Sequence, residues 1–397
     1  YVRIFNNNQI KLDFDNQFGK LTLINKTLQS CYLGKSNTEA LFENLIGYYE
    51  EGYSRYLFFY ANYLINKNNN LQAKDIFEDV DPINSTLLIA QAKKWIDEKS
   101  YYNFKSIFSC KNPNDIIGEF FFIISNLYST ENEIDRSNFY FNLSNYINPK
   151  FKFNLALLAD NYFKIEEFVK AEKILKNFSK KNEIYYWYRV KKISQIINKK
   201  NNSNESFEYI KAKFDAIEKP SLKIIYEMGN IVKGFEKYDM AIKYYTKVLS
   251  KPNLKPIIYA DVLFRRGGSY ERIGNEEKAD EDLLKSLEIN PDEPHVLNYL
   301  AYSWLERNYK INTAMDMLKK AYAQKENDPY IIDSIGWAYY LTGDYIEAEK
   351  LLRKAIKIMP LDPIVNDHYG DILWKLGRKI QANYIWKNVL TLEDIED

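Results

Sequence analysis

Apolar residues recur along most of the chain with the spacing of an α-helix. Leu155, Leu158, Ala159 and Tyr162, for example, follow one another at i, i+3, i+4 and i+7, a spacing that places them on one face of a helix. Polar stretches separate such segments at regular intervals. The pattern therefore predicts an all-α chain of many consecutive helices.

The clearest unit of this pattern runs from Pro329 to Asp362. Small residues at two positions let the backbones of its two helices approach where they cross, a glycine ends the first helix, and a proline stops the second. In order along the unit, the residues at its marked positions are Gly336 at position 8, Tyr339 at 11, Gly343 at 15, Ala348 at 20, Ala355 at 27 and Pro360 at 32.

The two small-residue positions can be followed back through almost the whole chain. Position 20 is held by Ala382, Ala348, Ala314, Ala279, Ala241, Ser206, Ala171, Ser137, Phe104, Ala73 and Ala40. Position 8 is held by Gly370, Gly336, Ala301, Gly267, Gly229, Ser194, Ala159, Ser125, Ala92 and Ala61. The spacing stays close to about 34 residues, which predicts roughly ten to eleven helix pairs.

This register resembles the signature of the tetratricopeptide repeat (TPR). The resemblance implies a right-handed TPR superhelix, an α-α solenoid in which each helix pair contacts its neighbours. We expect a regular TPR array over residues 256–397 and divergent TPR-like repeats over residues 1–255. The proline-containing segment Ser250–Pro256 is the expected joint between them, and the polar segment Lys199–Ser206 is expected to be a lengthened turn within one repeat.

Three segments are more specific than a general repeat. They read NYLAYSWL from Asn298, DSIGWAYY from Asp333 and NDHYGDILW from Asn366. They resemble a family of bacterial TPR proteins that are often exported and envelope-associated. The family includes outer-membrane lipoproteins that deliver substrates to a protease. The resemblance implies a non-enzymatic adaptor and favours a periplasmic or outer-membrane location over the cytoplasm. Because the chain begins at Tyr1 without a Met, we expect that its N-terminus is truncated.

Charge and composition narrow the function classes further. The 55 basic and 54 acidic residues give a net charge of +1, which argues against nucleic-acid binding. The longest apolar runs are far shorter than the roughly 20 residues of a membrane span. The segment Leu33–Ser36 resembles the last residues of a phosphate-binding loop, but Gln29 occupies the position at which that motif requires glycine. We therefore expect neither a nucleotide nor another cofactor.

Few residues are suited to catalysis or metal binding. The two cysteines, Cys31 and Cys110, match no metal or redox spacing. We expect two buried free thiols, with a structural disulfide as the alternative. The two histidines, His295 and His368, lack partners at a useful spacing, so we expect them to be solvated or hydrogen-bonded structural residues.

In a TPR superhelix the first helix of each pair lines the concave surface. The resemblance therefore predicts a groove for a protein or peptide partner, with a polar ladder at position 5 and aromatic side chains beside it. The groove residues are Asn298, Tyr302, Asp333, Trp337, Tyr340, Asp367, Asp371 and Trp374. For Trp337 and Trp374, packing against neighbouring helices remains an equal alternative.

The groove residues also argue against one known mode of TPR binding. Chaperone-binding TPR domains hold a C-terminal carboxylate with lysine and asparagine, whereas this chain has an acidic bias at those positions. The sequence thus favours a protein-binding adaptor or scaffold without enzymatic activity. The alternative is a structural protein that forms homo-oligomers through its terminal repeats, where Trp374 and Trp386 lie close to the end of the chain.

Overall fold

The computed structural model describes residues 20–47, 54–200, 202–252 and 254–393. Within these ranges the chain forms twenty-two α-helices, one short 3-10 helix at Lys152–Asn154 and no strand. The fold is an all-α solenoid, as predicted. Consecutive helices pair into eleven helix-turn-helix units, and contacts group these into two compact units, residues 1–224 and 225–397.

The helices of the first unit are α1 Lys20–Leu33, α2 Thr38–Gly47, α3 Ser54–Asn66, α4 Asn70–Asp75, α5 Leu87–Asp97, α6 Tyr102–Ile107, α7 Pro113–Thr130, α8 Ile134–Ile147, α9 Leu155–Lys164, α10 Phe168–Leu175, α11 Glu183–Lys199 and α12 Ser203–Asp215. Helix α13, Leu222–Gly234, spans the boundary. The second unit continues with α14 Tyr238–Leu249, α15 Pro256–Arg272, α16 Glu276–Ile289, α17 Pro294–Glu306, α18 Ile311–Gln324, α19 Pro329–Thr342, α20 Tyr345–Ile358, α21 Pro363–Lys375 and α22 Lys379–Glu393.

The turn between the two helices of a pair confirms the repeat register. Gly343, which ends α19, has φ +88°, a left-handed conformation that glycine adopts without steric cost. The residue seven places after each position-8 residue shares this conformation, with φ between +52° and +88°. These residues are Asn68, Lys99, Asn132, Glu166, Glu236, Gly274, Asn308, Gly343 and Gly377. Asn201 holds the corresponding place in its repeat and lies outside the described residues.

The position-8 residues lie buried where two helices of a pair cross. A Cβ atom added at Gly336 would lie 2.9 Å from Cγ of Leu352 on the second helix. In two helix pairs of the first unit, positions 8 and 20 are both serine, and the two serines of each pair are hydrogen-bonded to each other. The Oγ atoms of Ser194 and Ser206 are 2.8 Å apart, and Ser206 also donates to the Ser194 carbonyl at 2.7 Å. The crossing therefore admits glycine, a buried alanine such as Ala301, or a hydrogen-bonded serine pair.

Two details of the predicted register are wrong. Ala40 is exposed, whereas Phe42 is buried in the same helix, so the first pair crosses at a different residue. The segment Lys199–Ser206 is not a lengthened turn either, because α12 already begins at Ser203. Asn202 caps this helix by accepting a hydrogen bond from the Glu205 amide at 3.0 Å, so the polar residues from Asn202 to Ser206 are those of a helix N-terminus.

The expectation of two free thiols is also wrong. Cys31, near the end of α1, and Cys110, in the turn before α7, form a disulfide with a Cα–Cα distance of 5.9 Å. Lys111 fixes that turn against α1 by donating to the Tyr32 carbonyl at 2.8 Å. The two cysteines are 79 residues apart in sequence, so only the packing of α1 against this turn brings them together.

The interior of the first unit is filled rather than open. Helix α3 is buried on all sides from Tyr56 to Ile65, which differs from a solenoid helix with one open face. Arg55 at its start forms two hydrogen bonds with Glu119, at 2.8 and 2.6 Å, and one with Asn154 at 2.7 Å. Helix α5 packs directly on α11, although several helices lie between these two in sequence.

The second unit keeps the nearest-neighbour arrangement of a repeat array. Each helix pair packs on the next, and the first helices α17, α19 and α21 also contact one another in succession. Proline is the first residue of all three, where its missing amide hydrogen costs nothing. Asp328 and Asp362 cap α19 and α21 with their carboxylates. These helices therefore share one register and present equivalent positions to the same side.

Candidate functional site

Trp337 lies at the centre of the side shared by α17, α19 and α21. Its ring stacks on Tyr340 from the same helix, with centroids 4.6 Å apart, and on His368 of α21, with centroids 4.2 Å apart. Its Nε1 atom donates to Glu306 of α17 at 2.9 Å. One half-buried tryptophan thus connects three consecutive repeats.

His368 and Asp333 form a buried pair beneath this tryptophan. His368 Nδ1 lies 2.9 Å from Asp333 Oδ2, and both side chains are 8% exposed. Burial alone lowers the pKa of His368. The hydrogen bond and charge of Asp333, with the charges of Asp367 and Glu306, outweigh burial and raise that pKa above its ordinary value. Protonated His368 therefore balances the negative charge of Asp333.

The predicted polar ladder is only partly open. Asp333 is 5% exposed and is engaged by His368, Asn298 is half-buried, and Asp367 is exposed. One side-chain oxygen of Asn298 and one of Asp333 are buried without a hydrogen-bond partner among the described residues. Asp367 is therefore the ladder residue that presents its carboxylate to solvent.

Carboxylates and aromatic rings alternate around the centre. Tyr302 is half-buried with its ring centroid 6.4 Å from that of His368. Burial, Glu306 and Asp333 raise the pKa of its phenol. Burial and the neighbouring charge of Asp367 raise the pKa of Asp371, against the opposing effects of His368 and Lys375. The carboxylates are thus close enough to one another for their charges to interact.

Trp374 lies further along α21 and is 42% exposed. Its ring tilts against Trp386 of α22, with centroids 5.6 Å apart, and Lys379 Nζ lies 4.9 Å from its centre. Both the packing and the groove interpretations thus find support at this residue. As binding residues, all eight side chains stay predictions.

Sequence reasoning did not place two features in the site. His368 is the hydrogen-bonded structural residue that was expected, but its contact with Trp337 could not be read from spacing. A cleft of about 250 Å³ also lies between α15 and α17, beside Tyr302 and Glu306. Tyr299 at position 6 forms one wall and donates to Glu271 at 2.9 Å. In the sequence, this cleft is marked only by a tyrosine at position 6 and a glutamate in the preceding repeat.

Among the described residues, no group of three or more histidine, cysteine or acidic side chains is arranged to hold a metal ion. Across the same part of the chain, no helix combines the length and apolar character needed to cross a membrane.

Comparison with known proteins identifies the repeats. Residues 260–293 and 329–362 each match a family model for the tetratricopeptide repeat. The chain is similar to the TPR repeat-containing protein PA4667 of Pseudomonas aeruginosa, with 31% identity over 111 residues. That match spans 28% of this chain and 19% of the relative's length.

Solved structures of similar fold include a crystal structure of MamA. It has 23% identity and a TM-score of 0.34, covering 42% of this chain and 95% of that one. Another is MamA from Desulfovibrio magneticus RS-1, residue 41 to the end, with 16% identity and a TM-score of 0.37, covering 44% of this chain and 97% of that one.

Proposed function

Because the chain is a tetratricopeptide-repeat protein, we propose that it binds an extended polypeptide segment along the first helices of its second unit. Tetratricopeptide repeats are protein-interaction scaffolds. The observation that carries the proposal is the surface around Trp337, where aromatic rings and carboxylates from three consecutive repeats meet. Aromatic side chains of this kind anchor interfaces because they bury a large area at little entropic cost.

The proposed role is that of an adaptor that presents a bound partner to other proteins. The resemblance to exported bacterial TPR proteins supports an envelope adaptor that serves a protease or an assembly machinery. The Cys31–Cys110 disulfide supports the same compartment, because disulfides persist in oxidising environments and are rare in the cytosol.

Self-association through the last repeat is the second candidate. Helix α22 exposes Ile380 (88%), Tyr384 (75%) and Leu390 (63%). A cavity of about 470 Å³ lies beside this helix, lined by Ile364, Trp386 and Leu390 among others. Sedimentation of the wild type and of a Tyr384→Asp, Leu390→Asp variant tests this candidate. A concentration-dependent dimer that the variant abolishes supports it, and a monomer at every concentration excludes it.

Selection of short random peptides displayed on phage tests the groove. We expect enrichment on the wild type and its loss on a Trp337→Ala, Trp374→Ala variant. The matched control is Ile380→Ala, Tyr384→Ala, which removes exposed apolar side chains from α22 and should leave enrichment unchanged. Circular dichroism checks that each variant is folded. Equal enrichment on the wild type and the tryptophan variant would remove the groove from the proposal.

A further inference from the structure

The carboxylates around Trp337 are poorly neutralised by the protein itself. Within the described residues, Asp367 and Asp371 form no ion pair or hydrogen bond, and Glu306 bonds only to the Trp337 indole. Asp261 on α15 differs, since Arg265 pairs with it at 3.2 Å. Negative charge therefore remains available on α17 and α21.

Most nearby cations are engaged elsewhere. Arg307 pairs with Asp280 at 2.7 Å and with Glu276 at 3.1 Å. His368 is held by Asp333, and Lys379 lies over the ring of Trp374. Lys375 is exposed, and it forms no ion pair with Asp371 among the described residues. Burial and the charge of Asp367 raise the pKa of Asp371 above its ordinary value, although His368 and Lys375 act in the opposite direction. An additional cation near Asp371 would therefore be stabilised.

The surroundings also suit the shape of a long basic side chain. The cleft between α15 and α17 holds about 250 Å³, with Tyr299 and Tyr302 as walls and Glu271, Glu276 and Glu306 among its lining. Two arginines line it as well: Arg307, which is paired with Asp280 and Glu276, and Arg272, which donates to the Tyr238 hydroxyl at 3.2 Å. Lysine and arginine pack their aliphatic stems on apolar surface and keep the charged end at polar groups. The ring of Trp337 already stacks on Tyr340 and on His368, so these rings offer apolar contact area to the stem of such a side chain.

We infer that the groove selects a polypeptide segment that carries lysine or arginine side chains. The inference rests on the proposed function and names the chemistry of its partner. The basic side chains enter the cleft beside Glu306 and approach Asp367 and Asp371, while the aromatic rings hold the segment between them. An acidic segment would bring like charges together, which disfavours binding.

Fluorescence anisotropy with labelled peptides tests this inference. The probes are peptides of one sequence that differ only in carrying lysine, glutamine or glutamate at the same positions. We expect the lysine peptide to bind most tightly and the glutamate peptide most weakly, with the preference declining as salt is added. A Glu306→Gln, Asp371→Asn variant should weaken lysine-peptide binding about three- to tenfold. The amide oxygen introduced by Glu306→Gln can still accept the Trp337 hydrogen bond.

The control variant is Glu288→Gln, Asp316→Asn, which removes two exposed charges from α16 and α18 and should leave binding unchanged. If the lysine and glutamine peptides bind equally and both lose affinity with Trp337→Ala, Trp374→Ala, the charge inference is overturned and the groove stands. If neither tryptophan nor charge substitutions change binding, or if no peptide binds, the groove itself is overturned.

Discussion

The two units of this chain use the same repeat register but leave different surfaces. In the first unit, helices distant in sequence meet, and Arg55 contacts residues 64 and 99 positions away. The face that a solenoid would leave open on α3 is therefore filled. In the second unit, the main contacts join helices of the same pair or of adjacent pairs, and the face around Trp337 stays accessible. The register sets how helices pair, and the contacts between distant pairs decide whether a groove remains.

The chemistry inside the units differs accordingly. Both units contain buried ion pairs, Arg55–Glu119 in the first and Arg266–Asp282 in the second. Among the described residues, a disulfide and serine pairs at two helix crossings belong to the first unit. The second has small apolar crossings such as Gly336, and glycine in three of its turns. Stability of the first unit thus depends on a few specific polar and covalent links.

Removing the Glu119 carboxylate should have the largest effect. Glu119→Ala leaves Arg55, which lies 4.0 Å from the centre of the Phe122 ring, without its counter-charge. We expect a loss of about 3–5 kcal/mol in the free energy of unfolding, measured by urea denaturation. The control is Asp97→Ala, which breaks an exposed pair with Lys93 and should cost less than about 0.5 kcal/mol. If the two variants lose similar amounts of unfolding free energy, the Arg55–Glu119 pair does not stabilise the interior of the first unit.

Removing the disulfide should come next. Replacing Cys31 and Cys110 by serine frees a loop of 79 residues and should destabilise the first unit by about 2–4 kcal/mol. Calorimetry of the oxidised protein, the reduced protein and the variant measures this. The second unit contains no cysteine, so its transition should stay in place. A reducing agent that leaves the wild-type transition unchanged would favour the free thiols expected from the sequence.

The turns offer a smaller and reciprocal test. Gly343→Ala places a Cβ atom at φ +88° and should cost about 1–2 kcal/mol. Glu166 occupies the same place in the first unit, with φ +59° and an exposed side chain. Glu166→Gly should therefore stabilise the protein, by up to about 1 kcal/mol. Thermal denaturation measures both changes, and a destabilising Glu166→Gly would show that the shared turn geometry does not govern stability there.

Much of the fold follows from the sequence because the repeat signal is local. Small residues at positions 8 and 20 mark the points where paired helices cross. In the divergent first half, Ser125 and Ser137 occupy these two positions and contact each other as the register predicts. The filled interior of the first unit could not be predicted, because the contacts of Arg55 depend on how distant pairs pack. The compact units also divide at residues 224 and 225, upstream of the joint inferred from Ser250–Pro256.

The site shows the same limit. The position of Trp337 within its repeat predicts that it lies on the side shared by α17, α19 and α21, and its contacts with Tyr340 and His368 place it on that side. Position alone could not show that Asp333 is buried by a histidine from the next repeat, 35 residues away. Sequence periodicity therefore indicates the direction of a side chain, whereas its partner is set by the contact between repeats.

The His368–Asp333 pair gives the second unit a pH dependence near neutral pH, whereas residues 1–224 contain no histidine. Because the folded-state pKa of His368 is raised, its contribution to stability is full below about pH 6.5, its ordinary value. That contribution is lost as pH rises through the folded-state pKa. The melting temperature of the second unit should therefore fall across this interval as the buried charge of Asp333 loses its partner.

Calorimetry at a series of pH values, with tryptophan fluorescence as a local probe, measures this smallest effect. His368→Gln should flatten the pH dependence, since it removes the titrating group beside Trp337. His295→Gln changes the chain's other histidine, which is exposed, and should leave the profile unchanged. Identical profiles for wild type and His368→Gln would show that the pair does not link the repeats energetically. The arrangement of the groove would then depend on Trp337 alone, through its contacts with Glu306 and Tyr340.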